Sequence, residues 1–297
     1  MDGVDLAVTS GEIYGFLGPN GAGKSTMVRM LTTLLIPTGG SATVAGFDVG
    51  TDADKVRLRI GVALQEAALD GKQTGRELLD LQGRLYGLSK SARTQRVDEL
   101  LQLVDIGDAI DHRINTYSGG MKRRLDLAAA LVHQPKVLFL DEPTTGLDPT
   151  SRAAVWAEVR YLNEELGMTI FLTTQYLEEA DALADRLGII ARGKLVAEGT
   201  PTELKRSIGS DVIVARVAPA IAAQVATVLS GLAEVERVET NGDEVMLSVA
   251  NGATAISPVA VALAEAGVRV EGLTLRTPTL DDVFLHITGG RMQEDAA

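Results

Sequence analysis

The chain contains no cysteine, far fewer basic than acidic residues, and no long uninterrupted apolar run. Without cysteine, disulfides, thiol chemistry and cysteine-ligated zinc are excluded, and a reducing compartment is the expected environment. Lys and Arg number 28 against 40 Asp and Glu, which gives a net charge of −12. Such a surface has no general affinity for DNA, RNA or anionic lipid, so we expect no nucleic-acid partner.

Neither of the two segments that could direct the chain into a membrane has the required pattern. The first ten residues are acidic and contain too short an apolar stretch for a signal peptide, which we therefore do not expect. The most apolar region, residues 212–233, is interrupted by Arg216, Pro219 and Gln224 and is not expected to span a bilayer. Work at a membrane would then require docking on another chain.

A glycine-rich stretch between a predicted strand at 12–17 and a predicted helix at 25–35 follows the P-loop pattern G-x-x-x-x-G-K-[ST]. Glycines let backbone N–H groups approach phosphate oxygens, and the helix start adds free N–H groups and a positive dipole end. Lys24 would reach the β- and γ-phosphates, and the Ser25 hydroxyl would ligate Mg²⁺. The predicted nucleotide-binding residues are Gly18, Pro19, Asn20, Gly21, Ala22, Gly23, Lys24, Ser25 and Thr26.

Three polar residues follow predicted strands and are candidates for chemistry on the nucleotide. Sites in parallel α/β sheets lie beyond the carboxyl ends of strands, so Asp141, after the strand at 137–140, is predicted to hold Mg²⁺. The adjacent Glu142 is predicted to accept a proton from an attacking water. Gln65 follows the strand at 59–64 and is a candidate for Mg²⁺ or the water, and for a hinge, with an ordinary surface glutamine as an equal alternative.

Alternating strands and helices predict an α/β fold with a parallel sheet and a helical insertion at about 74–117. We place a domain boundary near residue 207, which gives domains 1–206 and 207–297. The second domain has the predicted order β-α-β-β-α-β, a small α+β arrangement of the split βαβ type, followed by a short helix at 280–286. Residues 1–8 alternate as a strand does, and Ser89 is a predicted helix cap.

The segment YSGGMKR at 117–123 resembles the signature loop of ATP-binding-cassette (ABC) ATPases, usually LSGGQ, with Met121 in place of the glutamine. The P-loop, Gln65, VLFLDEP at 137–143, GLD at 146–148 and TTQ at 173–175 match that family in order and spacing over residues 1–206. The details are most similar to ATPase subunits of the daunorubicin/doxorubicin-resistance type, as is TPTLDDVF at 277–284.

The resemblance implies a P-loop NTPase core of the ABC type, in a subunit that hydrolyses ATP to drive a separate membrane permease in export of a hydrophobic drug or antibiotic. It places Ser118, Gly119 and Gly120 on the γ-phosphate held by a second ATPase subunit, with Asp148 across the same interface. Two ATP molecules would lie head to tail between two copies of the chain, or between the chain and a related subunit. The insertion would dock the permease and hold the protein on the cytoplasmic face of the membrane.

Two departures from the family pattern affect these expectations. The family's N-terminal strand and its adenine-stacking aromatic residue would precede residue 1, so we expect a truncated start or weaker adenine binding, and assign Tyr14 to the core. Gln175 stands where the family usually has a histidine that contacts the γ-phosphate. We predict that Gln175 is a γ-phosphate sensor that does not titrate near neutral pH, with a loop filler as the alternative.

Two rival functions follow from the same residues. A soluble ABC ATPase of DNA repair or translation would carry tandem cassettes, a long coiled coil or a basic face, none of which the sequence contains. A nucleotide-binding regulator without turnover would fit the short N-terminus and Gln175, but Glu142 argues against it. His112, His133 and His286 have no metal-ligand spacing.

Overall fold

The computed structural model describes residues 1–65, 69–104 and 106–288, which form two compact units. The first unit is Met1–Pro201 and the second begins at Thr202. The first contains a six-stranded, mainly parallel sheet, and the second a four-stranded antiparallel sheet. Among the described residues, no helix is long and apolar enough to cross a bilayer.

The first unit alternates strands and helices and adds two short 3₁₀ turns before its fifth helix. In chain order its elements are β1 (Ile13–Leu17), α1 (Lys24–Leu31), β2 (Thr43–Val44), β3 (Phe47–Asp48), α2 (Ala53–Arg57), β4 (Ile60–Ala63), α3 (Gly75–Leu85), α4 (Lys90–Leu103), α5 (Gly119–Leu131), β5 (Val137–Asp141), α6 (Pro149–Glu164), β6 (Thr169–Thr174), α7 (Leu177–Leu183), β7 (Arg186–Ala191) and β8 (Lys194–Gly199).

The large sheet has the strand order β4-β5-β6-β1-β7-β8, and all neighbours are parallel except the β7–β8 hairpin. All five residues of β1 are buried, as expected for a central parallel strand covered on both faces. On one face, the buried ring of Phe171 has its centroid 5.7 Å from that of Phe16 and 5.6 Å from that of Phe139. Leu125 and Val159 belong to the apolar layer on the other face.

Local sequence signals explain where the helices of the predicted insertion begin. Thr74 and Glu77 form a capping box at the start of α3, because each side chain accepts a hydrogen bond from the other residue's backbone N–H. Ser89 caps α4 by accepting from the N–H of Ala92, as predicted. Both helices pack against α5, which places them beside the sheet as one helical layer.

The second unit has the predicted β-α-β-β-α-β order. The elements are α8 (Pro201–Ile208), β9 (Asp211–Arg216), α9 (Ala222–Leu229), β10 (Val235–Asn241), β11 (Glu244–Val249), α10 (Gly252–Glu265), β12 (Gly272–Arg276) and α11 (Leu280–Thr288). The sheet order is β10-β11-β9-β12, and apolar side chains of strands and helices, among them Ile213, Val225, Leu247 and Val259, form the core. Gly242, at φ 63°, closes the turn between the edge strand β10 and its neighbour β11. The predicted boundary near residue 207 lies inside α8.

The strand predicted for residues 1–8 is wrong. Gly3 has φ 58°, outside the extended region, and the structure contains no strand before β1. The alternating Val4, Leu6 and Val8 instead pack on the apolar layer beside α1. The alternation of apolar residues therefore correctly indicates that one side of the segment is buried, but the segment does not pair with a strand. The short helices α2 and α7, of five and seven residues, were not predicted, because so few residues carry little periodicity.

Candidate functional site

Four loops that carry predicted site residues leave the same edge of the parallel sheet. The P-loop follows β1, Gln65 follows β4, Glu142 follows β5 and Gln175 follows β6. Parallel pairing aligns these strand ends, with Leu17 opposite Thr174 and Asp141 opposite Thr173. The topology therefore brings together segments that are up to about 150 residues apart in the sequence.

The P-loop needs glycine at two positions for different reasons. Gly23, immediately before α1, has φ 114°, a conformation that other residues rarely adopt. At Gly18, a Cβ atom would lie 2.5 Å from the carbonyl oxygen of Ile190. No side chain caps α1, so its first N–H groups and dipole are available to an anion, as predicted for phosphate.

Lys24 is buried, and its ammonium group folds back over the loop. Nζ donates to the carbonyl oxygens of Gly18 at 2.7 Å and Pro19 at 3.3 Å, and pairs with Oε1 of Glu142 at 3.0 Å. These contacts occupy the donors that an ammonium group offers. Phosphate oxygens entering the loop would have to compete with the Glu142 carboxylate for this cation.

Glu142 lies at the centre of the site. Its second carboxylate oxygen accepts hydrogen bonds from Nε2 of Gln65 at 3.2 Å and Oγ1 of Thr145 at 3.3 Å. The residue is 6% exposed and has φ 48°, a left-handed conformation that is uncommon outside glycine and often found at functional sites. Gln65 thus contacts the predicted base, which distinguishes it from an ordinary surface glutamine.

Asp141 is held by the neighbouring strand. Its Oδ1 accepts from Oγ1 of Thr173 at 2.5 Å, and the same threonine oxygen accepts the backbone N–H of Glu142 at 3.1 Å. The hydroxyl of Ser25, the carboxylate of Asp141 and the amide oxygen of Gln65 are hard oxygen donors of the kind that Mg²⁺ prefers. Mg²⁺ in phosphate-binding sites is commonly held by one or two carboxylates together with substrate phosphates, and this donor set, with its single carboxylate, fits that arrangement.

The predicted signature residues form a second group. Ser118 caps α5 by accepting from the N–H of Met121, and Asp148 caps α6 by accepting from Thr150 and Ser151 at 3.0 Å. Hydrogen bonds from Ser151 lower the pKa of Asp148. A Cβ at Gly120 would lie 2.8 Å from Oγ of Ser151, so Ser151 links the two helix starts. In the described part of the chain, no hydrogen bond or ion pair joins this group to the P-loop.

Gln175 lies immediately after β6 and is half-buried. The turn around it is fixed by Thr174, whose Oγ1 accepts the N–H of Tyr176 at 2.9 Å. This turn leaves the sheet at the edge that carries Asp141 and Glu142. The location is compatible with the predicted sensor role, which stays a prediction.

One buried acid was missed by sequence reasoning. Glu179 in α7 is fully buried, and its Oε1 accepts from Oγ1 of Thr144 at 2.8 Å and Nε1 of Trp156 at 2.9 Å. Burial raises the pKa of this carboxyl. The contacts connect the loop after Glu142 with α6 and α7. A glutamate in a short acidic helix resembles a surface residue, so no local signal distinguishes it.

Comparison with known proteins supports the same interpretation. The family model described as "ABC transporter" matches residues 1–145, and the model "ATP-binding protein DrrA1-3-like, C-terminal domain" matches residues 199–288. The daunorubicin resistance ATP-binding protein DrrA3 of Streptomyces coeruleorubidus is 51% identical, over 97% of this chain and 91% of the relative. The Nod factor export ATP-binding protein I of Rhizobium sp. (strain N33) is 40% identical, over 99% of this chain and 93% of the relative.

A solved structure has a similar fold over about two thirds of the chain. It is a dimeric ATP-binding cassette in a post-hydrolysis state bound to ADP and Pi, with 28% identity and a TM-score of 0.61. The match covers 66% of this chain and 88% of that one. The similarity to the two sequence relatives extends over nearly the whole chain. The chain therefore belongs to the ABC transporter family, as an ATP-binding subunit of the ABC ATPase type.

Proposed function

We propose that the chain hydrolyses ATP to drive a separate membrane permease that exports a hydrophobic compound. The observation that carries the hydrolytic part is the convergence of Lys24, Gln65 and Glu142 beside the P-loop, where the Lys24–Glu142 pair is buried and Gln65 contacts it from the exposed side. The export part is supported by relatives that are named for daunorubicin resistance and for Nod factor export.

The P-loop and Lys24 would bind the phosphates of ATP. The first N–H groups of α1 would donate to the phosphate oxygens, and Lys24 would exchange Glu142 for them. Ser25, Asp141 and Gln65 would hold Mg²⁺, which neutralises charge on the β- and γ-phosphates when bound. Thr173 fixes the Asp141 carboxylate for this purpose through its short hydrogen bond.

Glu142 would act as the general base. When Lys24 turns to phosphate, the Glu142 carboxylate loses its cationic partner and becomes free to accept a proton from the attacking water. Gln65 and Thr145 hold the second carboxylate oxygen and so orient the group. Nucleotide binding and activation of the base are thereby two results of one exchange of partners.

A complete site would need a second ATPase subunit. One chain carries one P-loop and one signature group, and the signature group makes no hydrogen bond or ion pair with its own P-loop in the described residues. We propose that Ser118, Gly119, Gly120 and Asp148 face the nucleotide of a second copy or a related subunit. The dimeric state of the similar cassette supports this arrangement.

An apolar groove beside the helical layer is the proposed docking place for a segment of the permease. It has a volume of about 320 Å³ and is lined by Leu34, Leu64, Tyr86, Asp126 and His133, among others. Large apolar side chains nearby in sequence are strongly exposed: Leu34 by 59%, Ile36 by 83% and Leu85 by 72%. Leu34 lines the groove itself, and Leu85 precedes Tyr86, which also lines it. We propose that these exposed apolar side chains contribute to an interaction surface. Docking there would hold the chain at the cytoplasmic face of the membrane.

Phosphate release from MgATP tests the hydrolytic proposal. The unchanged chain should release phosphate, and Lys24→Ala should lose both nucleotide binding and turnover. Tight binding of ATP without any phosphate release would instead favour a regulator. Export is tested by measuring efflux of a hydrophobic fluorescent drug from cells that express the chain with a candidate permease, using Glu142→Gln as the inactive control.

A further inference from the structure

Arg123 connects three segments that the proposed function uses separately. It lies in α5, five residues after Ser118, and its side chain is 9% exposed. One guanidinium nitrogen donates to the carbonyl oxygen of Leu64 at 2.7 Å, and another to that of Asp141 at 3.5 Å. Leu64 directly precedes Gln65. The side chain therefore spans from the signature helix to the ends of both β4 and β5.

Asp126 holds this arginine from the next turn of the same helix. Its Oδ2 lies 3.3 Å from Arg123, and its side chain is only 15% exposed. Asp126 also lines the apolar groove where we place the permease segment. The ion pair therefore lies between that groove and the edge of the sheet that carries Gln65 and Asp141.

We propose that Arg123, held by Asp126, is a positioning residue that fixes the orientation of the signature helix relative to Gln65 and Asp141. Binding of MgATP at one P-loop would then be transmitted through Arg123 to the Ser118–Gly120 loop that the same chain presents to the second subunit. This inference rests on the proposed function. It adds a physical connection between the nucleotide bound at the chain's own P-loop and the signature loop that the chain presents to the partner's nucleotide.

The geometry requires an arginine. A planar guanidinium offers five N–H donors in a fixed fork and contacts two carbonyl groups and a carboxylate at once. A lysine would keep the charge but could not span both strand ends with the same rigidity. If only the charge of Arg123 matters, the Arg123→Lys variant should form the MgATP dimer as the parent does. If the fixed fork of the guanidinium matters, the variant should not.

The chain provides a matched control at the other end of α5. Arg96, in α4, donates to the carbonyl oxygens of Leu131 at 2.8 Å and Val132 at 3.3 Å, and pairs with Glu99 at 2.9 Å. It thus makes the same types of contact with the same helix, far from Gln65 and Asp141. Neutralising the Arg96–Glu99 pair shows how much dimerisation changes when α5 loses contacts of this type at its other end.

The experiment compares neutralised pairs in a Glu142→Gln background, so that ATP is not consumed. The test protein carries Arg123→Gln with Asp126→Asn, because removing the arginine alone would leave an uncompensated buried carboxylate and could unfold the chain. The control carries Arg96→Gln with Glu99→Gln. Calorimetry gives the ATP Kd in EDTA and in Mg²⁺, and light scattering after size exclusion gives the dimer fraction with MgATP.

We expect the test protein to keep the parent's ATP Kd in EDTA and to need about 5- to 150-fold more protein to form the MgATP dimer, the usual range for coupling between sites. The control and the parent should dimerise at the same protein concentrations. The Arg123→Lys variant should dimerise less readily than the parent. The inference would be overturned if the test protein dimerised as readily as the parent, or if test protein and control lost dimerisation equally. Dimerisation of the Arg123→Lys variant at the parent's level would also overturn it. A parent that binds no ATP, or never dimerises, would overturn the proposed function itself and this inference with it.

Discussion

The two units bury very different side chains. Every buried charged residue among those that the structure describes lies in the first unit; examples are Lys24, Arg123, Asp141, Glu142 and Glu179. The buried core of the second unit is apolar, with members such as Ile213 and Leu247. Burying a charged group costs desolvation free energy, and an ion pair offsets only part of that cost. The first unit therefore bears a stability cost at the positions where its chemistry requires fixed charges. Among its described residues the second unit buries no charged side chain, so its stability depends on apolar packing.

The largest effect that would sharpen this contrast is expected for Glu142→Gln. The amide cannot accept a proton, and loss of a general base typically slows turnover by about 10²–10⁴-fold. Nucleotide affinity should be kept or increased, because the carboxylate that competes with phosphate for Lys24 is gone. Phosphate release and calorimetry measure both. Turnover at the parent's rate would remove Glu142 from its assigned role.

A core substitution in the second unit should lower the stability of that unit and leave nucleotide binding unchanged. Leu247 is fully buried, and Leu247→Ala should cost about 2–5 kcal/mol in the stability of that unit through lost packing and a cavity. Because all predicted nucleotide ligands lie in the first unit, the ATP Kd of the folded protein should be unchanged. Urea unfolding followed by calorimetry below the transition checks this. A weaker ATP Kd in folded Leu247→Ala would contradict the separation of roles.

An intermediate effect is expected for Gln175→Ala. If its amide donates to the γ-phosphate, losing a hydrogen bond to a charged group, worth about 1.5–3 kcal/mol, should slow turnover by roughly 10- to 100-fold. Nucleotide binding through Lys24 and the P-loop should persist. The parent's kcat between about pH 6 and 8 should lack a histidine-like limb from this position. Unchanged kcat in the variant would leave Gln175 as a loop filler.

The smallest effect concerns the pH dependence of stability. Burial raises the pKa of Asp126 from 3.8 to about 6, so between these values the folded chain binds more protons here than the unfolded chain. By linkage, the carboxyl's contribution to the unfolding free energy falls as the pH rises through this window and levels off above about pH 6. The urea midpoint of the parent minus that of Asp126→Asn should therefore decrease from pH 5 to 7. A pH-independent difference would contradict this assignment.

Much of the site was predictable because its signals are local. The P-loop spacing, the strand that ends in Asp141 and Glu142, and the Ser118 cap are all read from neighbouring residues. The left-handed backbone conformation at Gly23 is likewise predictable, because glycine is the residue that adopts it readily. Resemblance to ABC ATPases then supplied the role of Gln65, which its own context left open between a site residue and a surface glutamine.

What the sequence alone determined is therefore the order of the longer helices and strands from β1 onward, the nucleotide loop and the residue types available for chemistry. Only the tertiary structure decided which of these groups meet. The pairing of Lys24 with Glu142, the contact of Arg123 with two strand ends, and the burial of Glu179 join residues 18 to 118 positions apart. The physical reason is that parallel strands align their carboxyl ends regardless of chain distance, so packing of the sheet sets these contacts and no short-range pattern records them.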